Sequence, residues 1–217
     1  MPDKKSNTLD LKKFDFNQRR QIKLGIRDGL DVSVYAHSYY TEWQMNEIRL
    51  ALLANHPYVH VIANPKLNPS QMYTVRKKSL HQADPTPYAK PEYTPGQMNQ
   101  LALGLRREVD ITKFSDKRYT PEQMEEIRKG LINDVDITPF ITFYHSPSQM
   151  HEIRLGLESD LDVSVYADYK FTGRQMQRIR EAMIAGEDYT EYLTTTYTTK
   201  AMRQEAEELR IKNKKDT

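Results

Sequence analysis

The text "YTPEQMEEIRKGLINDVDITPF" at residues 119–140 stands 26 residues earlier as "YTPGQMNQLALGLRREVDITKF" and 26 later as "HSPSQMHEIRLGLESDLDVSVY". Numbered from its glutamine, each copy starts at Gln18, Gln44, Gln71, Gln97, Gln123, Gln149 or Gln175, with spacings of 26, 27, 26, 26, 26 and 26. A period of this size marks a supersecondary unit that cannot bury its own apolar face, so that copies must stack to make a core. The expectation is an all-α helical-repeat solenoid of seven units, each a long helix followed by a short one.

The start of each long helix is written locally. Three residues before the glutamines stand Asp15, Thr41, Asn68, Thr94, Thr120, Ser146 and Thr172, all good N-caps. Four are followed by proline, at 69, 95, 121 and 147, which suits the first helical position because its missing N–H has no partner there. The glutamine then falls third in the helix, where it can complete a capping box. An apolar or aromatic residue before the cap (Phe14, Tyr40, Leu67, Tyr93, Tyr119, His145, Phe171) and Met after the glutamine, replaced by Arg19 in the first copy, make a hydrophobic staple.

Met, Ile and Leu then trace one helical stripe, as in Met124, Ile127 and Leu131. The residue before that Leu is small in six copies: Gly25, Ala51, Gly104, Gly130, Gly156 and Ala182. A mid-helix glycine costs about 1 kcal/mol relative to alanine, so its return predicts close approach of a neighbouring helix. A corner Asp follows (Asp31, Asp84, Asp110, Asp136, Asp162, Asp188), and reads as the cap of a short second helix or 3₁₀ turn ending on Tyr35, Tyr88, Phe114, Phe140, Tyr166 or Tyr192. Residues 1–13 read as a flexible arm, 14–196 as the array, and 197–217 as a degenerate, charged eighth copy that caps it.

Composition narrows the function classes. The 32 Lys plus Arg against 30 Asp plus Glu leave a net charge of +2, with no global pull toward nucleic acid or membrane. No cysteine is present, which removes disulfide and thiolate chemistry and Cys-based zinc sites. No apolar run reaches membrane-spanning length and the first residues lack a signal core, so a soluble, cytoplasmic protein is expected. Glycine-rich phosphate loops, HExxH and nucleophile elbows are missing from the text. The reading is therefore non-enzymatic, without cofactor or metal; Pro57 argues against one helix presenting His56 and His60 to a metal.

Three features are left to carry function. The position after the stripe Ile is basic in six copies: Lys23, Arg49, Arg76, Arg128, Arg154 and Arg180, with Ala102 the gap. Such a ladder could bind phosphates, or lay its stems over neighbouring helices and pair with the corner Asp. The next position is Leu24, Leu50, Leu103 or Leu155 in four copies, opposite the core stripe. These leucines make either a second packed layer or, with Arg49, Arg128, Arg154 and Arg180, a face for a protein partner. Copies two and three are irregular and rich in cations, and Lys66, Arg76, Lys77, Lys78, His81 and Lys90 are the alternative, nucleic-acid-binding set. Of 14 tyrosines, eight serve staples or corners; among the rest only Tyr58 and Tyr73 lie near that basic stretch.

The pattern "QMxxIRxGLxxxxDVSxYA", complete from Gln149 to Ala167, resembles helical repeats of largely uncharacterised proteins from Gram-positive bacteria and their mobile elements. The resemblance spans about residues 14–193, with departures in "ALLANHPYVHVIANP", which lacks the Asp, and "VRKKSLHQADPTPYA", which lacks the Gly and the stripe Leu. It transfers no catalytic residue. What it implies is an interaction scaffold borne by a phage or plasmid and, by extension, an inhibitor of host machinery such as a defence nuclease.

Overall fold

The computed structural model of the chain describes residues 9–80 and 84–194. These residues form eight α-helices and no β-strand: α1 Phe16–Arg27, α2 Glu42–Leu53, α3 Val59–Ile62, α4 Pro69–Ser79, α5 Pro95–Arg106, α6 Pro121–Ile132, α7 Pro147–Glu158 and α8 Gly173–Ala185. The chain divides into two compact units, Met1–Glu108 and Val109–Thr217. Packing in each follows chain order. In the first unit α1 meets α2, α2 meets α3 and α4, and α4 meets α5; in the second α6 meets α7 and α7 meets α8. Within residues 1–13, expected to be a flexible arm, Leu11–Lys13 form a 3₁₀ turn capped by Asp10. His81 and the expected eighth copy, residues 197–217, lie outside the described residues.

All seven glutamines stand third in their helices and complete a capping box with the expected cap. The staple residues from Phe14 to Phe171 are all buried, and Met45, Met72, Met98, Met124, Met150 and Met176 are fully so. Burying one such side chain contributes about 1.5–3 kcal/mol. The glutamine side chain has a second role that local reading did not reach. While its Oε1 accepts from the cap N–H, its Nε2 donates to two carbonyls in the linker before the next helix. Gln18 reaches Ser38 at 3.2 Å and Tyr40 at 2.6 Å, Gln44 reaches Pro65 and Leu67, and Gln123 reaches Phe143 and His145. Gln71 and Gln149 make the same pair of bonds. Each buried amide thus satisfies two linker carbonyls that would otherwise be orphaned.

The helices also end alike. Gly29, Asn55, Glu108, Asp134, Asp160 and Gly186 all take positive φ, between 48° and 72°. The residue after the bend donates five positions back, as Leu30 does to Gly25 and Leu161 to Gly156, at 2.9 and 3.0 Å. This is the Schellman ending, which uses two of the last helical carbonyls.

At the corners each Asp accepts hydrogen bonds from within its own turn. Asp31, Asp110 and Asp162 accept from the backbone N–H and the hydroxyl of the Ser or Thr two residues on; Asp84 and Asp136 do likewise. These bonds favour the charged form and hold the Asp31 and Asp110 carboxyls below the ordinary carboxylate value.

The small residue, by contrast, is not explained by a neighbouring helix. A Cβ on Gly25 would come within 1.9 Å of the Tyr35 hydroxyl, and one on Gly156 within 1.9 Å of that of Tyr166. The corner tyrosine folds back over its own helix, where Tyr35 donates to the Gln21 carbonyl and Tyr166 to the Glu152 carbonyl, each at 3.2 Å. The stripe accordingly runs through Met124, Ile127 and Gly130, which are buried, and leaves Leu131 half-buried. The fifth copy departs in its corner: Phe140 is only half-buried, and Ile137 and Ile141 are buried in its place. There a Cβ on Gly130 would meet the Val135 carbonyl at 2.8 Å.

Candidate functional site

The cationic ladder is largely consumed by the packing of one helix on the next. Arg76 on α4 holds Glu47 on α2 at 2.8 Å. Arg154 on α7 holds Glu126 on α6 at 2.9 Å, and Arg180 on α8 holds Glu152 on α7 at 2.8 Å. Arg49 on α2 donates to the Gln21 amide oxygen on α1 at 3.1 Å and reaches Asp28 at 3.4 Å. Arg128 is half-buried and has a partner of its own. The partner is therefore not the corner Asp but the Glu or Gln three residues after the preceding helix's glutamine. The copy without a ladder cation agrees with this rule. Ala102 follows a helix whose matching residue is Thr74, and that hydroxyl turns back to the Ser70 carbonyl.

These pairs are substantially desolvated. Arg154 is 7% and Glu126 8% exposed, and Glu158 meets the same guanidinium at 2.7 Å. Burial alone would raise the Glu126 carboxyl, but hydrogen bonds from Arg154 and Lys129 keep it below its ordinary value. A guanidinium held this way is a poor phosphate ligand, because the carboxylate must be left unpaired to release it.

The irregular basic region is divided by the fold. Lys66 is exposed in the linker before α4, whereas Arg76, Lys77 and Lys78 lie in the last turn of that helix. Lys90 is exposed in the next linker, with its ammonium 5.9 Å from the Tyr93 ring. Arg76 is paired with Glu47, and both Arg76 and Lys77 lie over the Tyr73 ring. His56 is buried, accepting from Tyr58 N–H at 3.1 Å with Nδ1 and meeting the Arg76 carbonyl at 3.1 Å with Nε2. Both ring nitrogens are used. Among the described residues no three His, Asp or Glu come together as a metal ion would need, and no helix is long and apolar enough to cross a membrane.

Leu24, Leu50, Leu103 and Leu155 are all half-buried. They do not make a continuous row. Lys77 on α4 interrupts it between α2 and α5, and Leu155 on α7 is flanked by Lys129 and Glu181 on the adjoining helices. Large exposed apolar residues lie instead on α1 and α2, and those of α2 adjoin the leucine positions. Trp43 is 64% and Leu53 50% exposed, and with Leu50 they recur at helical spacing on the side away from the buried Met45 and Ile48. A groove of about 400 Å³ between α1 and α2 adjoins them, lined by Leu24, Trp43, Asn46 and Arg49 among others. Tyr73 on α4 is also half exposed.

The sequence reading named Leu24, Leu50 and Arg49 but missed Trp43 and Leu53. The signal was present: the chain's single Trp stands at the second position of a helix, where other copies carry Asn, Ser, Gly, Glu or Arg. A second exposed aromatic group lies in the other unit, where Tyr144 and Tyr169 approach to 5.8 Å between ring centroids and Arg118 lies 3.9 Å over Phe143. Comparison of the chain with family models, curated proteins and solved structures found no match.

Proposed function

We propose that this chain is a non-enzymatic binding protein, a seven-copy helical solenoid that grips another protein with the outward face of α1 and α2. The observation that carries this reading is the pairing of Trp43 and Leu53 as exposed large apolar residues on one helix, next to a groove edged by Arg49. Trp and Arg are the residues most enriched where protein interfaces concentrate their energy. The reading is further supported by the ladder itself, whose engaged cations leave few to follow a phosphate backbone. The resemblance to mobile-element repeats points the first search for that partner to host machinery such as defence nucleases.

The test is a titration of the captured partner against Trp43→Ala and Leu50→Asp variants. A Trp at an interface centre costs 2 kcal/mol or more on truncation, so Trp43→Ala should weaken the complex about 30-fold. The alternative is nucleic-acid binding through Lys66, Arg76, Lys77, Lys78 and Lys90. Steeply salt-dependent DNA binding that is lost when Lys66, Lys77 and Lys90 become Glu, with the partner unaffected by Trp43→Ala, would establish that alternative instead.

A further inference from the structure

Helix α1 stands apart from the others in what it leaves uncovered. The positions that face the preceding helix can be read from the contacts themselves. In α8, the residue two before the glutamine, Gly173, lies so near Ser148 on α7 that a Cβ would meet its hydroxyl at 2.8 Å. The Met after the glutamine is fully buried in α2, α4, α5, α6, α7 and α8. The ladder residue reaches back to a Glu or Gln. In α1 these positions are Phe16, Arg19 and Lys23, and the last residue on that side is Ile26. Phe16 is 80% and Ile26 55% exposed, and both cations are exposed. A groove of about 490 Å³ runs along this part of the helix, bordered by Phe16, Arg19, Arg20, Lys23, Leu24 and Arg27.

We propose that α1 docks an acidic amphipathic helix of another protein, seated as a preceding helix would be and offering a carboxylate to Lys23. Charge and register both select this occupant. The helix carries Arg19, Arg20, Lys23 and Arg27 and no carboxylate of its own; of these four cations, Arg27 alone has an ion pair among the described residues, with Asp28 at 3.0 Å. The pairing rule seen at three interfaces, in which a ladder cation takes a Glu from the preceding helix, leaves Lys23 as the donor whose Glu is missing among the described residues. Phe16 and Ile26 require apolar cover that a phosphate backbone does not supply. A second copy stacking through α8 would set Arg178, at the Glu position, against Lys23. This groove shares Arg20 and Leu24 with the one that Trp43 lines, but Trp43 does not border it, so this proposal does not depend on Trp43.

The probe is a fluorescent peptide of residues 119–134, held helical by a lactam between Glu125 and Lys129, which pair at 2.9 Å in the protein, and presenting Glu126 at the pairing position. Anisotropy with the full chain should show saturable binding. Lys23→Glu together with Arg19→Glu should weaken it about tenfold, since like charges then face each other. A peptide with Glu126→Lys should bind the wild-type chain weakly and recover on the doubly reversed one. Phe16→Ser should weaken both pairings, and Trp43→Ala neither. Several outcomes would overturn the proposal: no saturation up to about 1 mM, indifference to the charge swap, or duplex DNA that binds tighter than the peptide through the same cations. A concentration-dependent dimer abolished by Lys23→Glu in sedimentation would equally overturn it, making the occupant a second copy.

Discussion

The corner after α7 and the corner after α2 solve the same problem with different chemistry. After α7, Asp162 caps the turn Val163–Val165, and Tyr166 folds back to fill the space over Gly156 and donate to the Glu152 carbonyl. After α2 there is no Asp and no returning tyrosine. A four-residue helix, α3, takes the turn, and buried His56 reaches the Arg76 carbonyl on α4 instead. Ala51 stands where Gly156 stands, because no phenol comes down on it. Two features do not change between the regions: the helix start with its glutamine and the positive-φ exit, Asn55 in one and Asp160 in the other. The corner can therefore be rebuilt provided the void is filled and the carbonyls find donors, whereas the ends of the long helices are held constant.

The largest expected effect tests what the two regions share. Replacing Gln149 or Gln44 by Glu keeps an acceptor for the cap N–H but turns a buried carboxylate on two linker carbonyls. Each change should cost about 3–5 kcal/mol at neutral pH, measured by urea denaturation. The new carboxyl's folded pKa is raised by this environment, so stability should be lost as pH rises above the ordinary Glu value of about 4.3. A large loss at Gln149 with none at Gln44 would break the equivalence.

The next effect depends on the difference. Gly156→Ala drives a Cβ into the Tyr166 hydroxyl and should cost about 1–3 kcal/mol, partly recovered by Tyr166→Phe. In α2 the reverse change, Ala51→Gly, should be the destabilising one, by about 1 kcal/mol through helix propensity. Tolerance of Gly156→Ala without rescue would mean that the phenol is not what selects glycine. The smallest effect returns to the shared exits. Asn55→Gly and Asp160→Gly should each change stability by no more than about 0.5 kcal/mol in the favourable direction, since Asn and Asp already tolerate this conformation. Thermal melts of the pair should move together.

What was legible in the sequence follows from distance along the chain. The caps, the staple and the Asp-x-Ser/Thr corner turns all involve residues two to five apart, and each lies where local reading placed it. The other role of the glutamine spans 19 residues or more, and a capping box already accounts for Gln, leaving no residual signal. Glycine opposite tyrosine was visible as a recurrence but not as a contact, because both a neighbouring helix and a returning side chain would select it. For the ladder, the sequence did hold a clue. Ala102 lacks the cation where Thr74, in the preceding copy, lacks the amide or carboxylate. That joint loss points to Glu and Gln as ladder partners, whereas Asp84, a corner Asp in the preceding copy, is retained. The candidate face was the least legible part, since the exposure of Trp43 depends on what α1 and α4 leave uncovered.

The glutamine bridges have a further bearing on how such a chain can change over generations. At Gln18, Gln44, Gln71, Gln123 and Gln149 the helix start carries a donor, and the linker leading to the next long helix carries the carbonyls that receive it. Unequal recombination that adds or removes one whole period leaves every donor facing a receiver, whatever the copy's own identity. The 27-residue spacing between Gln44 and Gln71 is already tolerated, because Gln44 still finds Pro65 and Leu67 across the extra residue. A whole added period would thus leave the bridges intact, while a slip of a few residues within a helix start would take the glutamine away from its carbonyls.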